Sequence, residues 1–136
     1  LKAGTYVVNS VKMNGNSKIM VDSVPVLIRV AGVNESNPIV ITGHGLVNPG
    51  FRPQDLQFIY GGNQTVELAG GENTAALFYV PEARTKIVGG ADLWGAVVAK
   101  RIVEMGGSII HYDRRLSNSV VTAGNYMLSA FSWKSY

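Results

Sequence analysis

The sequence predicts an all-β protein, a small right-handed parallel β-helix with irregular loops and a C-terminal strand packed along its side. Short alternating apolar runs close on glycine at recurring intervals, as expected for stacked coils. Sixteen glycines and five prolines indicate many turns. Apolar residues make up 46% of the chain and charged residues 15%, a balance that favours a packed core over disorder. The length of 136 residues predicts a single domain spanning 1–136.

The repeat is a short strand that ends at a glycine corner. Its copies are separated by 28, 27, 19 and 18 residues and close at Gly15, Gly43, Gly70, Gly89 and Gly107. The two longer intervals are expected to contain loops. We expect the last three corners to need φ > 0, which glycine adopts at little cost. The right-handed sense follows the general rule for parallel crossovers.

Strands are expected where β-branched and aromatic residues lie between turn residues. In chain order these runs cover 6–8, 11–13, 19–21, 25–30, 39–41, 55–60, 66–68, 75–80, 85–88, 93–99, 103–105 and 126–133. Residues 31–38, 44–53 and 61–64 are turns or irregular stretches rich in Gly, Pro and Asn. A helix is the rival interpretation for 92–105, with Asp92 as its N-cap. Gly95 and several β-branched residues disfavour it.

Alignment of the copies on their glycines predicts which side chains face the core, because neighbours along a strand point to opposite faces. One predicted inward column is Met13, Ile41, Leu68, Ile87 and Met105, and the other is Val11, Ile39, Val66, Thr85 and Val103. The column between them should face outward and include an acid–base–acid ladder of Glu67, Lys86 and Glu104. The same frame pairs Phe78 with Val97, Val80 with Ala99, Leu93 with His111 and Trp94 with Tyr112.

The C-terminal segment differs from the repeats. Residues 126–133 alternate large apolar groups on both faces, which suits burial on both sides. An open β-helix end exposes unpaired backbone groups, and terminal coils therefore need caps. We expect this strand to run along the solenoid side and to cover Tyr79 and Val98.

Several blocks together resemble a known bacterial family. They are Gly4–Val8, Val80-Pro81, Gly89–Gly95, Gly106-Gly107, His111-Tyr112-Asp113 and Ser132-Trp133. The pattern resembles a C-terminal domain of unknown function in PilX-type (type IV pilus assembly) proteins. His111, Tyr112, Asp113 and Trp133 match the family motif, whose role is unknown. The last two residues, Ser135 and Tyr136, depart from the acidic ending that relatives often have.

The resemblance implies a non-enzymatic structural or adhesive module of a pilus-associated protein. It would lie at the bacterial cell surface, extracellular or periplasmic. Other pilus or pilin-like subunits and surface glycans are the implied partners. Membrane attachment would come only through an N-terminal segment missing from this fragment of a longer protein. A polysaccharide-binding or polysaccharide-processing β-helix is the alternative.

The His111-Tyr112-Asp113 motif has two interpretations. Histidine and aspartate two positions apart on a strand share a face and could bind a metal or act as acid and base. The structural interpretation makes the motif a closing rung, in which His111 packs and Asp113 accepts hydrogen bonds from turn amides. We favour the second, because His44 is the only other histidine and cysteine is absent.

Composition and charge argue against other classes. A net charge of +3 without a basic stripe and interleaved aromatics predicts no nucleic-acid partner. Polysaccharide-cleaving chemistry would need Asp92, Asp113, Lys100 and Arg101 on one surface, and the repeat frame scatters them. We therefore expect no catalytic residues, no metal and no cofactor.

Overall fold

The structure is a computed structural model that describes residues 1–42, 45–69, 74–118, 120–123 and 126–129, with their side chains as far as 117. It is a parallel β-solenoid of about five turns, which confirms the predicted fold class. The described residues contain no α-helix. The rival helical interpretation of residues 92–105 is therefore wrong, because they form one strand. The handedness stays a prediction from the crossover rule.

The strands are short in the first half of the chain and long in the second. In chain order they are β1 Gly4–Val8, β2 Val11–Lys12, β3 Ile19–Met20, β4 Val26–Val30, β5 Ile39–Ile41, β6 Leu46–Val47, β7 Leu56–Tyr60, β8 Val66–Ala69, β9 Thr74–Val88, β10 Asp92–Met105, β11 Ile109–Tyr112, β12 Val120–Ala123 and β13 Tyr126–Ser129. Short 3₁₀ turns cover Pro53–Asp55 and Arg114–Asn118.

Within the described residues, parallel pairing builds three stacks along the solenoid axis. The first contains β1, β4 and β7, then residues 77–80 of β9 and 96–99 of β10. The second contains β2, β5 and β8, then residues 85–88 and 102–105. The third contains residues 74–76, 92–95 and β11, and β3 pairs with β6 in a separate two-stranded sheet. The long strands β9 and β10 thus pass from the third stack into the first without a loop.

The core follows the predicted alternation in the first four copies. Val11, Ile39, Val66 and Thr85 are register partners, and the last three are fully buried. Ile87 is likewise 0% exposed. Within the same core, the rings of Phe58 and Phe78 stack 4.8 Å apart with their planes 10° from parallel. Burial of each large apolar side chain contributes roughly 1.5–3 kcal/mol to stability.

The predicted register is wrong in the fifth copy. Residues 81–83 on one rung lie opposite a single residue, Lys100, on the next, so the pairing shifts between Ala99 and Arg101. Thr85 consequently pairs with Ile102. Paired residues here are 17 positions apart instead of the predicted 18, and a difference of one residue moves every following side chain to the other face. Met105, predicted to face inward, is 48% exposed.

The same slip corrects two further predictions. Val103, expected in an inward column, is only half-buried. Glu67 does pair with Lys86, but Glu104 pairs with Ile87, so the acid–base–acid ladder has no third member.

On the third stack, the partner of Trp94 is His111 instead of Tyr112. Leu93 pairs with Ile110 instead of His111. The predicted pairs of Phe78 with Val97 and of Val80 with Ala99 precede the slip and are confirmed.

The corner glycines have the expected backbone where the structure describes them. Gly89 and Gly107 have φ of 74° and 76°, in the left-handed region, whereas Gly70 lies outside the described residues. The glycine next to Gly89 on the following rung is Gly106, since the Gly89 amide donates to the Met105 carbonyl at 3.2 Å.

A different glycine allows a close contact between rungs inside β10. Gly95 has a φ of 145°, and a Cβ at this position would lie 2.1 Å from the carbonyl oxygen of Ala76. Only a residue without a side chain fits this close contact between rungs.

The chain leaves the last rung toward the outer surface of the first stack. Leu116 is 1% exposed and packs with Leu77 and the half-buried Tyr112. The antiparallel pair β12–β13 follows. The side chains of residues 126–133 lie outside those that the structure describes, and this includes Trp133. Their predicted packing over Tyr79 and Val98 therefore stays a prediction.

Candidate functional site

Three aromatic rings contact one another on the outer surface of the third stack of strands, and two of them are stacked. The imidazole of His111 lies over the indole of Trp94, with ring centroids 4.1 Å apart and planes 11° from parallel. The ring of Phe51 contacts the same indole at 5.6 Å, tilted by 58°. Register explains the first contact, because Trp94 and His111 are partners on adjacent parallel strands. The imidazole thus covers one face of the indole, and Trp94 remains 38% exposed.

Asp92 lies beside the ring stack. One of its carboxylate oxygens, Oδ1, is 3.7 Å from Nε2 of His111. That distance is too long for a hydrogen bond, and the contact is an ion pair only when the imidazole is protonated. Both side chains are partly exposed, at 42% for Asp92 and 33% for His111. Solvent therefore screens the attraction between them.

Asp113 organises the turn that follows the last rung. Its Oδ1 accepts the backbone amide of Arg115 at 2.9 Å, and its carboxylate accepts Nε and Nη2 of the same side chain at 2.9 and 2.6 Å. The hydrogen bonds from the Arg115 side chain hold the pKa of the Asp113 carboxyl below its usual range, against a smaller opposing effect of burial. The carboxylate is thus fixed in its charged form as a turn acceptor.

Arg115 connects this turn to an earlier loop. Its Nη2 donates to the carbonyl oxygen of Phe51 at 3.3 Å. The Leu116 amide donates to the carbonyl of Asp113 at 3.0 Å, which places the buried Leu116 side chain against the outer surface of the solenoid. The aspartate, the arginine and the leucine therefore fasten the exit of the chain to the rungs below it.

This geometry makes structural use of every member of the His111-Tyr112-Asp113 motif. His111 stacks, Tyr112 packs with Leu116, and Asp113 accepts a turn amide. In the described part of the chain, no group of three His, Cys, Asp or Glu side chains is placed to hold a metal ion. His44, which could complement His111 in a metal site, lies outside the described residues.

Sequence reasoning missed Phe51 and the proximity of Asp92 to His111. Phe51 lies in an irregular loop with a φ of 48°, where no periodic pattern marks its direction. The pairing of Trp94 with His111 would have followed from the correct register, which also places Asp92 opposite Ile109.

An apolar cavity of about 510 Å³ lies at the last rung. Val97, Ile102 and Ile110 line it, together with the carboxylate of Glu104 and the phenol of Tyr112. The Tyr112 hydroxyl is buried and has no hydrogen-bond partner. Ile102 is 39% exposed, so the apolar core reaches the surface at this end of the solenoid.

Parallel rungs, a ring stack and an aspartate-centred closing turn define a small β-solenoid domain. Its sequence matches the family model described as "Domain of unknown function (DUF7305)" over residues 2–119, and the chain belongs to that family. Neither the curated proteins nor the solved structures contain a match to it. None of the described helical segments has the length and apolar character needed to span a membrane.

Proposed function

We propose that this domain is a non-enzymatic structural or adhesive module of a pilus-associated bacterial surface protein. The observation that supports this best is that the side chains of the family motif make packing and hydrogen-bond contacts within the fold. His111, Tyr112 and Asp113 match the motif of the resembled family, and all of them make structural contacts at the last rung. A module of this kind acts through its outer surface and its length.

The shape suits such a role. Each rung is hydrogen-bonded to the next along the axis, so the domain is a stiff rod compared with a linker of the same length. The resemblance to PilX-type proteins supplies the proposed setting at the cell surface or in the periplasm. Pilin-like subunits are the proposed partners, and attachment to the membrane would come through a segment outside this sequence.

Fractionation of the full-length protein tests the proposal. A tagged copy should appear in the sheared surface-filament fraction and should cross-link to pilin subunits. A matched strain that produces the protein without residues 1–136 should lose the cross-link. Retention of the intact protein in the cytoplasm, or an unchanged cross-link after the deletion, would contradict it.

The alternative is a polysaccharide-processing β-helix. It is favoured by one observation, the partly exposed cluster of Asp92, Trp94 and His111 on a single surface. Glycoside hydrolysis uses a pair of carboxyl groups about 5–9.5 Å apart. Cleavage of acidic glycans by the wild-type protein, lost in both Asp92→Asn and Asp113→Asn, would establish the alternative and exclude a purely structural role.

A further inference from the structure

A basic groove lies on the corner between the first and second stacks of strands. It encloses about 520 Å³ and is lined by Arg84, Arg101, Lys100, Glu82 and Asn63. The register shift creates it. Residues 81–83 bulge on one rung, whereas Lys100 alone spans the corner on the next.

The two arginines are direct register partners. Arg84 and Arg101 occupy adjacent parallel strands, whose backbones lie about 4.8 Å apart. Both are exposed. Among the described residues, neither they nor Lys100 form an ion pair, and Glu82 is the single carboxylate in the groove lining.

Such an arrangement is unfavourable for the empty protein. Like charges directly opposite one another on neighbouring strands repel and destabilise the sheet. Two guanidinium groups in one concave site are well suited to a planar anion, because each can donate two parallel hydrogen bonds to a carboxylate. An anion bound between the two guanidinium groups attracts both of them and offsets their mutual repulsion.

We propose that this basic groove binds a carboxylate-bearing polysaccharide, with Arg84 and Arg101 holding uronate groups and Lys100 and Asn63 contacting the same chain. The inference rests on the adhesive role proposed above and names its ligand class. Arginines on successive rungs can form hydrogen bonds with the carboxylates on successive sugars of a linear chain. A nucleic acid is disfavoured because the groove lining has no aromatic side chain on which bases could stack. A lipid surface is disfavoured because no large apolar side chain lines it.

Binding of polygalacturonate to the purified domain is the direct test. Calorimetry should detect binding that weakens as salt is raised, since exposed charges are screened. Fully methyl-esterified polygalacturonate has the same backbone without the charge and should not bind. Binding of single-stranded DNA or phosphatidylglycerol vesicles in preference to polygalacturonate would overturn the proposal.

Variants separate the groove from general basicity. Arg84→Gln and Arg101→Gln should each weaken polygalacturonate binding by about tenfold or more, the effect of one charge-assisted interaction. Arg29→Gln removes the same charge from an exposed site elsewhere on the first stack and should leave binding unchanged. Equal losses in all three variants would show non-specific attraction and overturn the proposal.

The melting temperature gives a second test, because a purely structural role of Arg84 predicts a different result from a binding role. Because each arginine repels the other, Arg84→Gln should raise the melting temperature while it weakens binding. A lowered melting temperature would mean that Arg84 stabilises the fold, contrary to the proposal. Cross-linking of the Arg84→Gln, Arg101→Gln protein to pilin subunits should be unchanged, so the pilus role and the glycan role are tested separately.

Discussion

The imidazole of His111 lies 4.1 Å from the indole of Trp94, with the two planes within 11° of parallel. These residues are 17 positions apart in the chain and are direct partners on adjacent parallel strands. The stack joins the fourth rung to the fifth on the outer surface, close to the point where the chain leaves the solenoid. It is therefore a sensitive place to test how the last rung is held.

The first prediction concerns the coupling between these rings. His111→Ala and Trp94→Ala should show a favourable interaction of about 0.5–1.5 kcal/mol in a double-mutant cycle, the range for stacked aromatic pairs. Urea unfolding of the four proteins measures it. His111→Phe keeps a ring at this position and should retain most of the stability. A coupling near zero would mean that the two rings do not interact in solution.

The second prediction tests the core alignment. Ile87 is 0% exposed and Lys86 is half-buried on the opposite face of β9. Ile87→Asp should destabilise the domain by about 3–5 kcal/mol, because it leaves a buried charge without a partner. Lys86→Gln should change stability by less than about 1 kcal/mol, since it removes only a surface charge. Equal losses in thermal melts would show that the assigned faces are wrong.

The third prediction compares two glycines. Gly89 has a φ of 74°, whereas Gly61 is outside the left-handed region, and open space surrounds the Cβ position of both. Gly89→Ala should therefore cost about 1–2 kcal/mol through backbone strain alone. Gly61→Ala should be neutral or should stabilise by up to about 1 kcal/mol, because it restricts the unfolded chain. Similar melting temperatures for the two variants would contradict the assigned corner.

The fourth prediction is a pH dependence caused by Asp113. Hydrogen bonds from Arg115 lower the pKa of this carboxyl in the folded state relative to its unfolded value of about 3.9. A lowered folded pKa gives stability that is fully present above the unfolded pKa and is lost as pH falls through the folded pKa. The stability difference between the wild type and Asp113→Asn should therefore be constant from about pH 5 to 7 and shrink below about pH 4.

Urea unfolding at a series of pH values measures this difference. Arg115→Gln removes the donor and should remove most of the same pH dependence. A wild-type advantage over Asp113→Asn that grows at acidic pH would have the opposite sign and would refute the assigned interaction.

The sequence was sufficient for the fold class and for the first four rungs, because strands such as those containing Ile39 and Val66 alternate cleanly and end at single corners. It was insufficient for the fifth. Both corners are glycine pairs, Gly89-Gly90 and Gly106-Gly107. The prediction aligned Gly89 with Gly107 instead of Gly106, which moved the predicted register by one residue. The three-residue bulge opposite Lys100 begins at Pro81, which cannot donate a hydrogen bond to the next rung, but the alternation of apolar residues does not predict the length of the bulge.

Prediction of the candidate sites required the correct strand register in the fifth rung. The partner of Trp94 and the meeting of Arg84 with Arg101 both follow from the shifted pairing, so neither could be predicted. The contacts within the closing turn were easier to predict, because an aspartate that precedes a turn commonly accepts its amides.

The direction of the inter-rung hydrogen bonds has a mechanical consequence. They run along the solenoid axis, so a pull along that axis opens them at one end and peels the rungs successively. The pairing of Thr74 with Leu93 means that about 19 residues separate equivalent points on two rungs. Each rung that peels away would release about 65 Å of extended chain. Pulled along its axis, the domain would thus lengthen in steps, and it would absorb a sudden force instead of transmitting it at once.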